Sequence, residues 1–461
     1  MSSRNYPALH EKDFKKVVSE YTMHFEGTGD EDDDDDDNNN NKDQTTCPSR
    51  QQRDNNSSGR EKDAVHVSDS YYEFATAAYE MNWSTRFHYA PFSPTDTLHS
   101  AQCFYEHRVA LLLGLKPGMK VLDVGCGIGG PAREMARFTG CEVVGMSINQ
   151  AQIDRAIRLT AEEGLTDKCT FVRGDFLNMP FAPDCFDAAF AIEATCHSPS
   201  LCAVYTETCR VLKPGATFLV SEWVLTPEFD PSNTKHVDMR RRIERGNGVV
   251  NLHTSLEARE AMLSSGFDPE HEENFANYHD YLRRRRGTAP NNQTVIEDEG
   301  GVQRRQRRRQ QQITSPVLVP FSSSPSPATS SSSTWSSPPN YRPAPPSSSI
   351  STTVWASPKH REWWWMLQGR TGLATTWTDW WTTWKMSPWA RRACYFLVWS
   401  LEKMGYRRAR GVCEAMDTMA LCVDSVAEAG REGIFSPAWW FLGRKEKKTP
   451  RDLNNIQSIA Q

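Results

Sequence analysis

A doubly wound α/β fold follows from three features of this 461-residue chain. Short apolar segments alternate with helical patterns from Lys120 to Glu222. The first of them, Val121-Leu122-Asp123-Val124, runs into Gly125-Cys126-Gly127-Ile128-Gly129-Gly130, where glycine recurs at every other position. A helical pattern opens directly behind that loop, at Pro131. Strands alternating with helices of this length build βαβ units and a parallel sheet. Glycines let the loop turn tightly and approach a ligand, and the helix N-terminus offers free N–H groups and the positive end of its dipole. Such a loop at the carboxyl end of a first strand makes a nucleotide-type pocket.

Taken in order, Asp13 to Phe25 predicts a short amphipathic helix. The acidic run Asp30–Asp37 and the polar stretch to about Arg60 have nothing apolar to bury and predict a disordered linker. Order is expected again from Ser68, through Tyr71-Tyr72-Glu73-Phe74 and the aromatic segment Tyr79–Tyr89, and a helix is predicted over Ser100–Leu113. Strands are predicted at Lys120–Val124, Glu142–Met146, Thr170–Arg173, Phe186–Ile192 and Thr217–Glu222, with helices at Pro131–Phe138, Gln150–Glu163 and Ala203–Val211. Arginine clusters at Arg283–Arg286 and Arg304–Arg309, then Ser, Pro and Thr from Ser322 to Pro358, cannot form a core. Most of the tryptophans follow, between Glu362 and Trp440, and Ala393, Phe396, Leu397, Ser400, Leu401 and Met404 fall on one helical face. A tryptophan-rich amphipathic helix suits a lid over an apolar ligand, a surface lying on a bilayer, or ordinary packing on the sheet. The expected organisation is an arm over 1–67, a main domain over 68–280 with its aromatic segment at 71–92, an insert over 281–358, a helical region over 359–445 and a tail over 446–461.

Composition narrows the partners. A net charge of −5 makes no global field for nucleic acid, and no nucleic-acid partner is expected. Twelve cysteines stand without a CxxC pair or zinc spacing, so no metal is expected and the thiols read as small hydrophobes. The first residues lack an apolar core for a secretory signal, and no uncharged apolar run reaches membrane-spanning length.

Gly125, Gly127 and Gly130 also satisfy G-x-G-x-x-G, which requires weighing a dinucleotide. That ligand needs an acid at the end of the second strand, where this chain has Ser147, Ile148 and Asn149. Asp123 ahead of the glycines instead resembles the D-x-G-x-G-x-G loop of class I S-adenosyl-L-methionine (SAM) methyltransferases, a Rossmann-like fold.

Longer stretches resemble the sterol C24-methyltransferases of fungi and plants. They are Tyr105-Glu106-His107, Leu122 to Glu134, Ala136 to Cys141, Ala191 to His197, Val211 to Gly215, Glu222-Trp223-Val224 and Ile434 to Pro437. The resemblance implies a class I domain with a helical N-terminal cap and a C-terminal helical substrate region. It implies SAM bound by Asp123, Gly125, Gly127, Gly129, Ser147, Gln152, Asp175 and Phe176. Methyl transfer to a sterol or triterpenoid side-chain alkene leaves a carbocation, which aromatic faces stabilise without trapping it. Tyr79, Trp83, Phe87, Tyr89, Glu222 and Trp223 are the expected substrate contacts. Glu193, His197, Glu80 and His88 are the polar groups expected to take the proton. The implied setting is peripheral, at the cytoplasmic face of the endoplasmic reticulum or a lipid droplet, with self-association open. The rival readings are methyl transfer to another isoprenoid or lipid, and sterol or SAM binding without turnover.

The family pattern Y-E-x-G-W-G reads here as Tyr79-Glu80-Met81-Asn82-Trp83-Ser84, and Arg86 stands where a small residue is usual. Side chains in place of glycines are expected to narrow the substrate pocket. A later segment, Ile243-Glu244-Arg245-Gly246-Asn247-Gly248, keeps its glycines but has Asn247 where an acid is common.

Overall fold

The computed structural model describes residues 14–25, 63–279, 361–406 and 411–447. The acidic run, the arginine clusters and the Ser/Pro/Thr stretch lie outside the described residues. Ahead of the sheet come helices α1 (Phe14–Met23), α2 (Ala64–Asn82) and α3 (Leu98–Leu112). The alternating part runs β1 (Lys120–Val124), α4 (Gly130–Thr139), β2 (Glu142–Ser147), α5 (Gln150–Glu162), β3 (Cys169–Arg173), β4 (Phe186–Ile192), α6 (Leu201–Val211) and β5 (Leu212–Leu225). Helices α7 (Thr234–Asn247) and α8 (Ser255–Ser264) and strand β6 (Phe267–Asn274) follow. The last described part holds α9 (Trp377–Met386), α10 (Pro388–Lys403), α11 (Val412–Glu432) and β7 (Phe435–Lys445).

The seven strands lie in the order β3-β2-β1-β4-β5-β7-β6. The first five pair in parallel, and β7 runs antiparallel between β5 and β6. Residues 435–445 therefore stand inside the sheet, and the bounds 68–280 hold six of its seven strands. Helices cover both faces, so the central strands are apolar at nearly every position. Along β4, Ala188, Phe190 and Ile192 join one apolar cluster while Ala189 and Ala191 join the other. That is the period of two of a pleated strand.

Local chemistry sets the helix starts. Thr97 caps α3 and Ser100 returns the bond as the third residue of a capping box, so the helix opens two residues before Ser100. Asn149 caps α5 and Ser200 caps α6 through side-chain oxygens. The tryptophans divide: Trp363, Trp365 and Trp440 are buried, whereas Trp377, Trp381, Trp384, Trp389 and Trp399 are exposed on α9 and α10. Phe396 and Leu397 on α10 and Met404 at its C-terminal cap also face outward, so the apolar stripe predicted there is largely turned away from the core.

Candidate active site

Two cavities meet at the carboxyl edge of the parallel strands. The first is lined by Asp123 near the end of β1, Gly125 and Gly127 after it, Ser147 at the end of β2, Gln152 in α5, and Asp175 and Phe176 after β3. Gly125 has φ +84°, and its N–H and that of Cys126 both donate to Met146 O, at 2.9 and 2.8 Å, which pins the loop to β2. Asp123 is buried with Oδ2 lacking any hydrogen-bond partner, and burial, aided by Glu106, pushes its carboxyl well above the usual range. A buried carboxyl left short of a donor suits a ligand that brings one. Ser147 Oγ donates to Gln152 Oε1 at 2.8 Å, so the two polar groups after β2 act as a unit. Asp175 Oδ1 accepts from Leu177 N at 2.9 Å, which orders the turn and leaves the carboxylate with acceptor capacity toward the cavity. These residues fit SAM. Gly129 is outside that lining; a Cβ there would stand 2.6 Å from the Phe171 ring, so packing accounts for this glycine.

The second cavity, about 1540 Å³, lies between the C-terminal half of α2, the aromatic segment and helices α9, α10 and α11. Tyr79, Trp83, Phe87, Tyr89 and Trp223 all line it. Tyr79 stacks on Phe87 with ring centroids 5.2 Å apart, and Tyr89 packs between Trp83 and Trp223 at 5.7 and 6.0 Å. Phe87 and His88 line both cavities.

Glu193 follows β4 with φ +53° and lines the first cavity. Its Oε1 accepts from Tyr89 N and its Oε2 from Trp223 Nε1, each at 2.8 Å. Burial pushes this carboxyl well up, and the two donors oppose that shift. His197 lines the same cavity; Nδ1 faces Gly248 O and Nε2 faces Tyr72 OH, each at 2.9 Å. Burial lowers its pKa, so the ring is neutral at pH 7.

Three expectations need correction. Glu80 is gripped by Arg155 in a buried ion pair and lines neither cavity. His88 is at the junction, but Nδ1 faces Tyr89 O at 2.8 Å and Nε2 faces Glu106 Oε1 at 3.0 Å, so both nitrogens are held by protein oxygens rather than presented to substrate. Glu222 lies behind the site: it accepts from Thr195 Oγ1 and, at 2.7 Å, from Tyr205 OH, and it lines neither cavity. The expected narrowing is also partly misplaced. Asn82 lines the second cavity, but Ser84 bonds to Arg86 O and Gln102, and Arg86 reaches Glu106 and Glu134.

The reading of the sequence missed Tyr72 and Thr76, although a signal was present. Residues 72, 76, 79 and 83 have the spacing of one helical face. Tyr72 lines the first cavity, Thr76 Oγ1 accepts from Gln152 Nε2 at 3.2 Å, and Tyr79 and Trp83 line the second cavity. Cys422, on the far side of the insert, gave no such signal; its thiol, pushed up to about 11 by burial, donates to Asn247 Oδ1 at 2.8 Å.

Glu222 makes a pH prediction. Burial raises its pKa from 4.5 to about 7, so the folded state holds a proton there that the unfolded state has lost. The group costs nothing below pH 4.5, and stability falls as pH rises from there through about 7. The loss is about 3 kcal/mol at most, at 1.36 kcal/mol per pKa unit. Denaturant titrations at pH 5 and pH 8 should show a steeper loss in the parent than in Glu222→Gln. Equal slopes would mean the carboxyl is ionised throughout.

Comparison with known proteins agrees with this geometry. Residues 115–275 match the family described as methyltransferase domain, and residues 381–446 match the one described as sterol methyltransferase C-terminal. The sterol 24-C-methyltransferase erg-4 of Neurospora crassa is 45% identical over 221 residues, 48% of this chain and 58% of that protein. The sterol 24-C-methyltransferase of Yarrowia lipolytica is 44% identical over 47% of this chain and 57% of its own. Cycloartenol-C-24-methyltransferase 1 of Oryza sativa subsp. japonica is 43% identical over 45% and 61%. The chain thus spans little more than half the length of these curated relatives. Among solved structures, geranyl diphosphate C-methyltransferase from Streptomyces coelicolor A3(2) is a distant likeness, with a TM-score of 0.39, 21% identity, and coverage of 44% of this chain and 81% of that one. The seven-strand α/β sheet with its glycine loop agrees with the methyltransferase-domain match, and SAM is the cofactor of that domain.

Proposed function

We propose that the protein transfers a methyl group to the side-chain alkene of a sterol or sterol-like triterpenoid. The observation that carries this reading is the junction of the two cavities at Phe87 and His88. One cavity is built on the glycine loop. The other is aromatic and, at about 1540 Å³, exceeds the roughly 300–1,000 Å³ of ordinary small-molecule sites. A rigid polycyclic lipid can lie in the larger cavity with its tail at the junction.

Bound SAM supplies the electrophilic methyl group. Tyr79, Trp83, Phe87, Tyr89 and Trp223 exclude water and offer ring faces to the developing cation. Glu193 ties Tyr89 and Trp223 to the cofactor side through its two N–H···O bonds. Proton removal falls to Glu193 or His197, which line the first cavity with an atom that can accept a proton. The decisive assay combines the full chain, methyl-labelled SAM and a Δ24 sterol, with products identified by mass spectrometry. Side-chain-methylated sterol is the expected result. SAM binding without any labelled lipid would leave the non-catalytic reading standing.

A lipid surface is the proposed partner. Among the described residues no helix is long and apolar enough to cross a membrane. Trp377, Trp381, Trp389, Phe396 and Met404 are exposed on α9 and α10, and Trp384 and Leu397 of the same helices also line the large cavity. Such a face can lie in the headgroup layer and admit substrate from it, at the endoplasmic reticulum or a lipid droplet. Replacing Trp377, Trp381 and Trp389 by Ala should lower liposome binding several-fold. Unchanged binding, with loss of a dimer in light scattering, would assign the face to self-association instead.

A further inference from the structure

The segment Ile243–Gly248 and residue Tyr72 have no part in the scheme above, yet hydrogen bonds bring both to His197. We infer that Tyr72 and His197 form a proton-accepting pair at the cofactor cavity, held in its working tautomer by the Gly248 carbonyl. This rests on the methyl-transfer reading given above.

A backbone carbonyl can only accept. The 2.9 Å contact between His197 Nδ1 and Gly248 O therefore places the ring's hydrogen on Nδ1 in the neutral imidazole. Nε2 is left as a lone pair, and the phenol of Tyr72 donates to it at 2.9 Å. Burial favours the neutral ring and the neutral phenol, which is the resting state such a pair requires. The titratable groups around the pair include Glu193, Cys196, Cys422, Tyr71 and Tyr79, none of them a cation.

Gly248 is the hub. It caps α7 at φ +64°, and a Cβ there would stand 2.8 Å from Tyr71 Cγ, so glycine is demanded by both angle and space. Its N–H reaches Tyr21 OH at 3.0 Å, while Tyr21 OH itself donates to Arg245 O. Helix α1 thereby braces the turn that orients His197, and Tyr21 and Gly248 are positioning residues.

In the step itself, a C–H bond beside the methylated cation breaks, and its electron pair becomes the new C=C bond. The proton goes to the Tyr72 oxygen as the phenolic proton moves to His197 Nε2. The imidazolium, donating from Nδ1 to Gly248 O, returns the proton to solvent after product leaves.

Two measurements on the full chain test this. Histidine-selective ¹⁵N NMR, without sterol, should show His197 protonated on Nδ1 and bare on Nε2, with the Nε2 resonance shifted in Tyr72→Phe. An Nε2-protonated ring would overturn the pair whatever the substrate. With labelled SAM and a Δ24 sterol, Tyr72→Phe and His197→Gln should lower kcat roughly 100-fold, within the range for a lost proton acceptor, at little change in KM. Both should divert product toward the methylated alcohol formed when water captures the cation. Tyr21→Phe should move the product ratio the same way, more weakly. Parent-like alkene-to-alcohol ratios in both Tyr72→Phe and His197→Gln would sink the proposal. A parent that binds SAM and shows the predicted tautomer but methylates no sterol would instead reject the substrate reading and leave the pair in place.

Discussion

Gly125→Val should weaken SAM binding by at least about 100-fold, or about 2.8 kcal/mol at 1.4 kcal/mol per tenfold. Gly125 adopts φ +84°, where a β-branched residue is strained, and a Cβ built there would collide with the Ala194 Cβ. Relieving that collision must push away either the loop that hangs from Met146 O or the Glu193–Ala194 turn, and both border the cofactor cavity. The sheet beneath is otherwise intact, so a thermal melt should still be cooperative. Gly127→Ala is the control. A Cβ there meets only the Phe87 ring, at 3.7 Å, so its cost comes from the φ of +53° and should be smaller. Calorimetry with SAM across the two variants reads the difference. Equal affinity in Gly125→Val and the parent would remove the loop from the cofactor site.

Arg86→Ser should destabilise the fold by about 3–5 kcal/mol without changing sterol preference, the cost expected when one partner of a buried ion pair is removed. Arg86 is buried, with NH2 2.9 Å from Glu134 Oε2 and Nε 3.0 Å from Glu106 Oε1, the latter an ion pair without hydrogen-bond alignment. Glu106 is fully buried, and without Arg86 only His88 would face its charge. Glu134 keeps His107 and Arg137, so the penalty falls mainly on Glu106. Since Arg86 and Ser84 lie outside both cavities, restoring a small residue at 86 and glycine at 84 should leave the ratio of kcat/KM for two sterols unchanged. Asn82→Gly alone should move it, by about 10-fold, near the low end of what small volume changes in an apolar pocket produce. Urea denaturation and a two-sterol competition assay separate the effects. A shifted sterol ratio in Arg86→Ser would restore the idea that this side chain shapes the pocket.

Much of the architecture was readable along the chain. The parallel strands β1 to β5 are short apolar runs between helices, and their positions are set by local pattern. The glycine loop, Asp123, Ser147, Gln152 and Asp175 were readable for the same reason: each stands at the end of a strand or within a few residues of it, where this fold puts its ligands. Strand β6 was not readable. Its sequence, Phe-Asp-Pro-Glu-His-Glu-Glu-Asn, is charged and holds a proline, and it becomes a strand because β7 is there to pair with it at the sheet's edge. β7 itself comes from the far side of the insert.

Periodicity, glycine placement and residue type within a few positions are enough for the parallel strands, the cofactor loop and the aromatic character of the substrate segment. Which polar side chains face the cavities is settled by packing between elements. Glu80 was claimed by Arg155, Glu222 by Thr195 and Tyr205, and His88 by Glu106, whereas Glu193 and His197 stayed at the site. A buried charge or imidazole takes whichever partner the packing brings within hydrogen-bond reach, and that partner stands on another element, at a distance along the chain that no local pattern encodes.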